Sequence, residues 1–352
     1  MSVGAARLDL SLPDSSVVVV FRALQLGDML CAVPALRALR NGLPGARIVL
    51  VGLPWATQFA QRFAALVDEF VAFPGHPELP EPMGDPRGWE SFLQCIRARH
   101  ADLAIQLHGS GEISNRLVRE FGARRTVGFT QHAATDGGDF FSYPPHGHES
   151  DRLLALMRAL GMVVHDRHLV FPLHAADADA LQASGVLARL DGRPYVCIHA
   201  GARCTQRRWP VEAFAAVADG IAEVFGWQVV LTGSGEEQGL VQQLAQAMRH
   251  DAVNAALHWP IGAMAALMEG ARLLVCNDSG ASHLAAALRL PSVVVFRRDE
   301  RERWAPQDHR LHRCVLDSEG TQVAAVIAAA RQLMDRQPRR QARMMRRPSA
   351  RG

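Results

Sequence analysis

The chain has 352 residues, enough for two domains with separate cores, and 49% of them are hydrophobic, an ordinary share for a globular protein. It contains no lysine, so all 38 fixed side-chain cations are arginines, against 35 acids. Seven arginines and no acid fall in residues 336–352, which leaves the rest of the chain at about −4; this excludes a basic stripe for nucleic acid on the body and isolates a basic tail.

Residues 1–13 lack a charged segment followed by a long apolar core, so no signal peptide is expected. No apolar run approaches the ~18 residues a membrane span requires. The six cysteines are scattered with no C-x-x-C pair, the pattern of reduced core thiols in a cytoplasmic protein.

The first β-branched run, residues 15–21, reads as a buried parallel strand. It leads to Gly27-Asp28, expected as a loop, and then to a helix over residues 29–40, where Pro34 should sit in the first turn or cause a kink. In an open α/β sheet, ligands bind outside the carboxyl ends of the strands, so Asp28 stands where a catalytic carboxylate belongs. A helix cap is the other use of an acid there.

A second strand is expected over residues 46–52, a helix over 54–65, a short strand over 69–73 and a Pro/Gly-rich loop over 74–87. A helix (89–99) and a strand (101–107) follow. That strand ends at His108-Gly109-Ser110-Gly111, another small-residue loop. A helix over 114–121 and a strand over 126–129 come next. Residues 131–148 read as a long polar surface loop, then 150–160 as a helix. His132, His146 and His148 in that loop are irregularly spaced, with no supporting Cys or acid pattern, which argues against a metal site.

The second half repeats the rhythm. Asp177-Ala178-Asp179 falls at the start of an Ala-rich helix over 174–187, where acids serve the helix dipole and need no metal. The strand 195–199 opens into a Gly- and Arg-rich loop from Ala200 to Pro210, a plausible diphosphate clamp, before a helix over 211–225. The strand 227–232 ends in Gly233-Ser234-Gly235-Glu236-Glu237, followed by a helix to about 249, a short apolar segment (252–255) and a helix over 261–268. No G-x-G-x-x-G follows the first strand, so the dinucleotide fingerprint of an oxidoreductase is missing. The sharpest strand–turn–helix signal is residues 274–287: an apolar run, then Asp278-Ser279-Gly280, then a helix carrying His283. Ser279 or Asp278 can cap that helix, and its free N–H groups make a site for phosphate. A strand over 290–296 and a final helix over 321–334 complete the chain.

The repeated β-α series predicts an α/β protein of two doubly wound domains facing a cleft: residues 1–172, residues 173–318, a C-terminal helix over 319–335 and the basic tail over 336–352. Four motifs then give the chain a family likeness. They are Leu26-Gly27-Asp28 with Pro34-Ala35-Leu36, His199-Ala200-Gly201 leading to Arg207-Arg208-Trp209-Pro210, Leu231-Thr232-Gly233 with Glu236-Glu237, and Asp278-Ser279-Gly280 with His283-Leu284-Ala285. In this order, spanning residues 15–335, they resemble glycosyltransferase family 9, the ADP-heptose:lipopolysaccharide heptosyltransferases of GT-B fold.

The resemblance implies an inverting sugar transfer with no cofactor and no obligatory metal. Asp28 would be the general base and Arg207 would stand for the family's lysine, stabilising the departing diphosphate. Ser279, Gly280 and the helix start would bind the diphosphate through backbone donors. Asp278, Glu236 or Glu237 would hold sugar or ribose hydroxyls, with Gly201, Thr205, Gly233 and His283 on the donor side. Gly27, His108 and Gly109 would face the acceptor. The implied partners are a nucleotide-sugar donor such as ADP-heptose, a lipopolysaccharide or glycan acceptor and, through the tail, the anionic inner membrane; nucleic acid is not among them. Arginine is larger than lysine and binds phosphate bidentately, so the Arg207 departure bears on the donor's identity. The alternatives are a family member using another nucleotide-sugar donor and a nucleotide-sugar-binding protein without turnover.

Overall fold

A computed structural model describes residues 12–79, 88–131 and 139–336. The chain forms two compact units. One comprises residues up to Pro172 together with Glu302–Trp304; the other comprises Leu173–Arg301 and the chain from Ala305 onward.

In the first unit, β1 (Val17–Phe21), β2 (Arg47–Gly52), β3 (Glu69–Ala72), β4 (Leu103–Gln106), β5 (Arg125–Thr130) and β6 (Asp139–Ser142) form one sheet, ordered β3-β2-β1-β4-β5-β6. Every pairing is parallel. Helices α1 (Leu26–Gly42), α2 (Thr57–Arg62), α3 (Gly88–Arg97), α4 (Ser114–Arg119) and α5 (Glu149–Ala159) connect or flank the strands. A parallel sheet is covered on both faces, which is why β1 reads as a continuous run of valines and Phe21 rather than an alternation. Phe21, Phe73, Phe92 and Phe121 meet edge to face beneath one side of it.

The second unit has α6 (Ala175–Ala183) and α7 (Val186–Leu190), then β7 (Tyr195–His199), α8 (Val211–Phe225), β8 (Gln228–Gly233), α9 (Gln238–Ala247), β9 (Ala252–Ala256), α10 (Ile261–Gly270) and β10 (Leu273–Asn277). It continues with α11 (Gly280–Leu288), β11 (Ser292–Phe296), β12 (His312–Leu316) and α13 (Val323–Asp335); the short α12 (Arg301–Trp304), between β11 and β12 in sequence, packs from Glu302 onward with the first unit. Its sheet runs β12-β11-β10-β7-β8-β9, again all parallel. In each unit the strand order reverses beside the unit's first strand, between β1 and β4 and between β7 and β10. Such a switch point leaves a crevice at the strands' carboxyl ends, the usual ligand position of this architecture.

Several expectations need correction. Leu26 already starts α1, so Gly27 and Asp28 lie in a first helical turn and not in a loop. Pro34 stands mid-helix, where it denies the Leu30 carbonyl its usual donor, and the helix continues through it. The stretch expected as one loop over 131–148 contains β6, an edge strand of four residues too short to stand out from the polar sequence around it. Helix 174–187 is two helices, separated by Gly185 at a left-handed φ of 73°. Asp177 accepts from the His174 N–H at 2.8 Å, a helix-cap role. No element was expected between residues 297 and 320, yet α12 and β12 form there. At four and five residues, both are too short for a periodicity to show.

No disulfide joins the six cysteines. Among the described residues no helix is long and apolar enough to cross a membrane. The 132–138 part of the polar loop, His132 included, residues 80–87 of the Pro/Gly-rich loop, and residues 337–352 of the basic tail lie outside the described residues.

Gly111 shows how tightly the loop after β4 is built. Its φ is 89°, and a Cβ there would stand 2.0 Å from the Phe129 carbonyl oxygen. Gly111→Ala should lower stability by at least about 2 kcal/mol in urea denaturation, because backbone strain and a backbone clash add.

Candidate active site

In the first unit the residues at the switch point are tied together by Arg22, the residue after β1. It is fully buried. Its Nε donates to the Asp28 carbonyl at 2.9 Å, Nη1 donates to the Leu107 carbonyl, and Nη2 pairs with Glu149 at 3.2 Å. One guanidinium thus joins the end of β1, the start of α1, the end of β4 and the start of α5. Glu149 also pairs with Arg303 at 3.0 Å, and Arg303 donates to the Tyr143 hydroxyl at 3.2 Å. Arg303 belongs to the three-residue segment that packs in this unit although it follows β11 in sequence.

Asp28 keeps partial solvent access beside this cluster. Burial pushes its carboxyl above the usual carboxylate range; Arg22 opposes that, the Glu149 charge adds to it, and a hydrogen bond from the Gln25 backbone opposes it again. Glu149 shows the reverse balance. Burial would raise it, but Arg22 and Arg303 together hold it below its ordinary value. His108 stacks on Phe21 with centroids 5.0 Å apart, and its Nδ1 accepts from the Ala23 N–H at 3.3 Å. Gly109 follows at a φ of 69° with open space where a Cβ would lie. Gly27 and Asp28 in the first turn of α1, and His108 and Gly109 in the loop after β4, therefore lie on the two segments that Arg22 holds together. His148 caps α5 by accepting from the Ser150 N–H, and burial pushes its pKa down to about 4; exposed His146 faces Glu302 instead.

In the second unit Asn277, at the end of β10, does a comparable job. Its side-chain oxygen accepts from the Trp209 N–H at 2.9 Å and its Nδ2 donates to the Ala200 carbonyl at 2.7 Å, pinning both ends of the Gly/Arg-rich loop. The Trp209 indole N–H donates to Asp317 at 2.9 Å. Arg207 leaves this loop through a short 3-10 turn, Thr205–Arg207, and pairs with Asp278 at 3.1 Å and with Glu300 at 2.7 Å. Asp278, expected to hold hydroxyls, is a buried partner of Arg207 here.

Ser279 is the N-cap residue of α11 by backbone geometry, yet its side chain makes no cap bond. Its Oγ is buried without a hydrogen-bond partner among the described residues. The first-turn N–H groups of α11 are thus not closed by that hydroxyl. Gly280 begins the helix, and His283 is buried one turn along it.

Glu237 accepts from the Ser234 N–H at 2.8 Å, and its carboxylate fills the space a side chain on Gly201 would need, 2.0 Å from an added Cβ. Gly233 ends β8 beside it. His199 next door is half-buried, and desolvation depresses its pKa against the opposing pull of Glu237. Gly201, Gly233 and Glu237 are therefore brought together, whereas Thr205 and Glu236 are exposed.

Sequence reasoning missed Arg22, Glu149, Arg303, Asn277, Asp317 and Glu300. A lone buried arginine directly after a strand was a usable signal. Glu149 and Arg303 carried none, because their pairing joins residues 154 apart.

A family model described as glycosyltransferase family 9 (heptosyltransferase) matches residues 89–328. The chain belongs to this family. Over 304 residues it is 26% identical to lipopolysaccharide heptosyltransferase 1 of Pseudomonas aeruginosa, covering 79% of this chain and 78% of the relative. A family 9 glycosyltransferase from Veillonella parvula superposes with a TM-score of 0.78 at 22% identity, over 93% of this chain and 99% of the other. The E. coli ADP-heptose lipopolysaccharide heptosyltransferase II gives 0.72 at 19% identity, over 91% and 98%. The likeness to these glycosyltransferases gives the fold: two Rossmann-like domains of GT-B type.

The two acids of the first unit should separate in stability. The fold lowers the pKa of Glu149, so the stability it contributes is present above its unfolded value and is lost as pH falls through the folded one. Glu149→Gln should cost about 3 kcal/mol at pH 7, since it strands Arg22 in the interior. The fold raises Asp28, so the ionised form is a liability above that pKa. Asp28→Asn should melt at the wild-type temperature or higher. Urea and thermal denaturation at pH 7 check both.

Proposed function

We infer that this family 9 glycosyltransferase transfers a heptose or related sugar from an ADP-sugar to a lipopolysaccharide-core or surface-glycan acceptor, with inversion. The observation that carries the reading is Asp28, a partly exposed carboxylate at a switch point whose surroundings disfavour its charge. A carboxyl so poised is a better base near neutral pH than an ordinary aspartate.

In this reading Asp28 takes the proton of an acceptor hydroxyl. The freed oxygen pair bonds the donor's anomeric carbon from the face opposite the nucleotide. The bond from that carbon to the diphosphate breaks, and its electron pair leaves with ADP. Negative charge grows on the diphosphate, where Arg207 and the start of α11 supply a guanidinium and backbone donors. These groups serve the role a metal would otherwise fill, so the reading calls for no obligatory cation. The named activity of the E. coli relative, ADP-heptose transfer, supports the choice of donor. The nucleotide donor implies a cytoplasmic site of action. The seven arginines of residues 336–352 suit contact with the anionic inner face of the membrane.

Asp28→Asn should lower the transfer rate at least about 100-fold, the scale of general-base catalysis, with ADP-heptose affinity within about twofold in calorimetric titration. Because the base must be ionised, the wild-type rate should fall as pH drops through a pKa above the ordinary carboxylate range. An unchanged rate in the variant would remove Asp28 from the base role. ADP-heptose should also bind tighter than ADP-glucose or UDP-glucose. Deleting residues 336–352 should leave transfer to a soluble acceptor intact and weaken sedimentation with phosphatidylglycerol vesicles, by about 1 kcal/mol for each arginine that reaches the surface. Equal sedimentation would dismiss the tail's role.

A further inference from the structure

Arg207 presents its two terminal nitrogens to two different acids. Nη1 lies 3.1 Å from Asp278 and Nη2 donates to Glu300 at 2.7 Å. The acids are not equivalent. The Asp278 side chain is 3% exposed, and its own N–H donates to the Val295 carbonyl at 3.1 Å, which fixes it at the end of the sheet. A carboxylate so enclosed needs its cation. The Glu300 side chain is 40% exposed and comes from the segment between β11 and α12. A pair of that exposure contributes little and exchanges readily.

A carboxylate oxygen on one guanidinium nitrogen occupies the place a phosphate oxygen would take. The neighbouring arginines have acceptors of their own. Arg298 donates to Gln206, and Arg297 donates to the Ser318 and Arg208 carbonyls. Glu300 is therefore directed at Arg207. With both acids in place the three ionised side chains sum to −1, which repels an arriving anion. With Glu300 displaced they sum to zero.

We propose that Glu300 is a built-in competitor for the anion site at Arg207, holding the guanidinium in the ligand-free protein and giving way to the diphosphate of the donor or of released ADP. This rests on the reading of Arg207 as the diphosphate-binding group. The consequence is a weaker hold on both the nucleotide sugar and the nucleoside diphosphate product. Product release, often the slow step of a transferase cycle, is faster for it.

The test is calorimetric titration of ADP into wild type, Glu300→Gln, Arg207→Gln and the double variant at low ionic strength, with thermal melts to confirm folding. Glu300→Gln should bind ADP about twofold to fivefold tighter, the range for a half-exposed ion pair removed from competition. Arg207→Gln should bind at least about tenfold weaker, and in its background Glu300→Gln should bring no gain. If Glu300→Gln binds no tighter while Arg207→Gln loses affinity, the competitor role is overturned and Arg207 keeps its place. A gain that persists without Arg207 also overturns it, as general charge relief. If wild type and Arg207→Gln bind ADP alike, the reading of Arg207 falls and the competitor with it.

Discussion

In each unit two loops diverge at the point where the strand order reverses, and their backbone groups must be satisfied without filling the space between them. Backbone N–H and C=O groups in the interior require partners. In the first unit the fully buried Arg22 reaches the Leu107 and Asp28 carbonyls across the β1/β4 reversal. In the second Asn277 reaches the Ala200 carbonyl and the Trp209 N–H across the β7/β10 reversal. Each is one polar side chain placed directly after or at the end of a central strand. The remaining site residues take their positions from these two clamps.

The chemistry of the clamps differs because their charges differ. Asn277 is neutral and completes its work with the Trp209 N–H and the Ala200 carbonyl, calling in no further charge. Arg22 brings a buried cation, which calls in Glu149, and Glu149 in turn holds Arg303. That chain of charges surrounds Asp28 and sets its carboxyl apart from an ordinary surface aspartate. The short helix bearing Arg303 thereby becomes part of the first unit, although the sequence on both sides of it belongs to the second.

The family place of the chain and most of its strands and helices were legible in the sequence, since buried parallel strands are unbroken apolar runs and the motif glycines punctuate their ends. Helix α8 and strand β7 have the bounds expected from sequence. Strand β6 and the α12–β12 segment were not legible. Edge strands are half solvated and carry no apolar run, and a four-residue helix is too short for periodicity. Asp28 and Asp278 were marked because each stands beyond a strand's carboxyl end beside small residues, and Arg207 because it matches the lysine of the family's loop. Their partners were not, because an ion pair leaves no trace in local sequence.

The sequence by itself determined the two β-α series, the glycosyltransferase family and the small set of loops where ligand chemistry can occur. Those follow from local patterns of hydrophobicity, glycine and charge that any fold of this chain must respect. Only the tertiary structure decided which charges meet. It set Asp278 against Arg207, gave Arg207 a second carboxylate in Glu300, and joined Arg22, Glu149 and Arg303 from three distant segments. Electrostatic pairing depends on distances of a few ångströms between residues far apart in the chain, and those distances exist only once the sheets have formed.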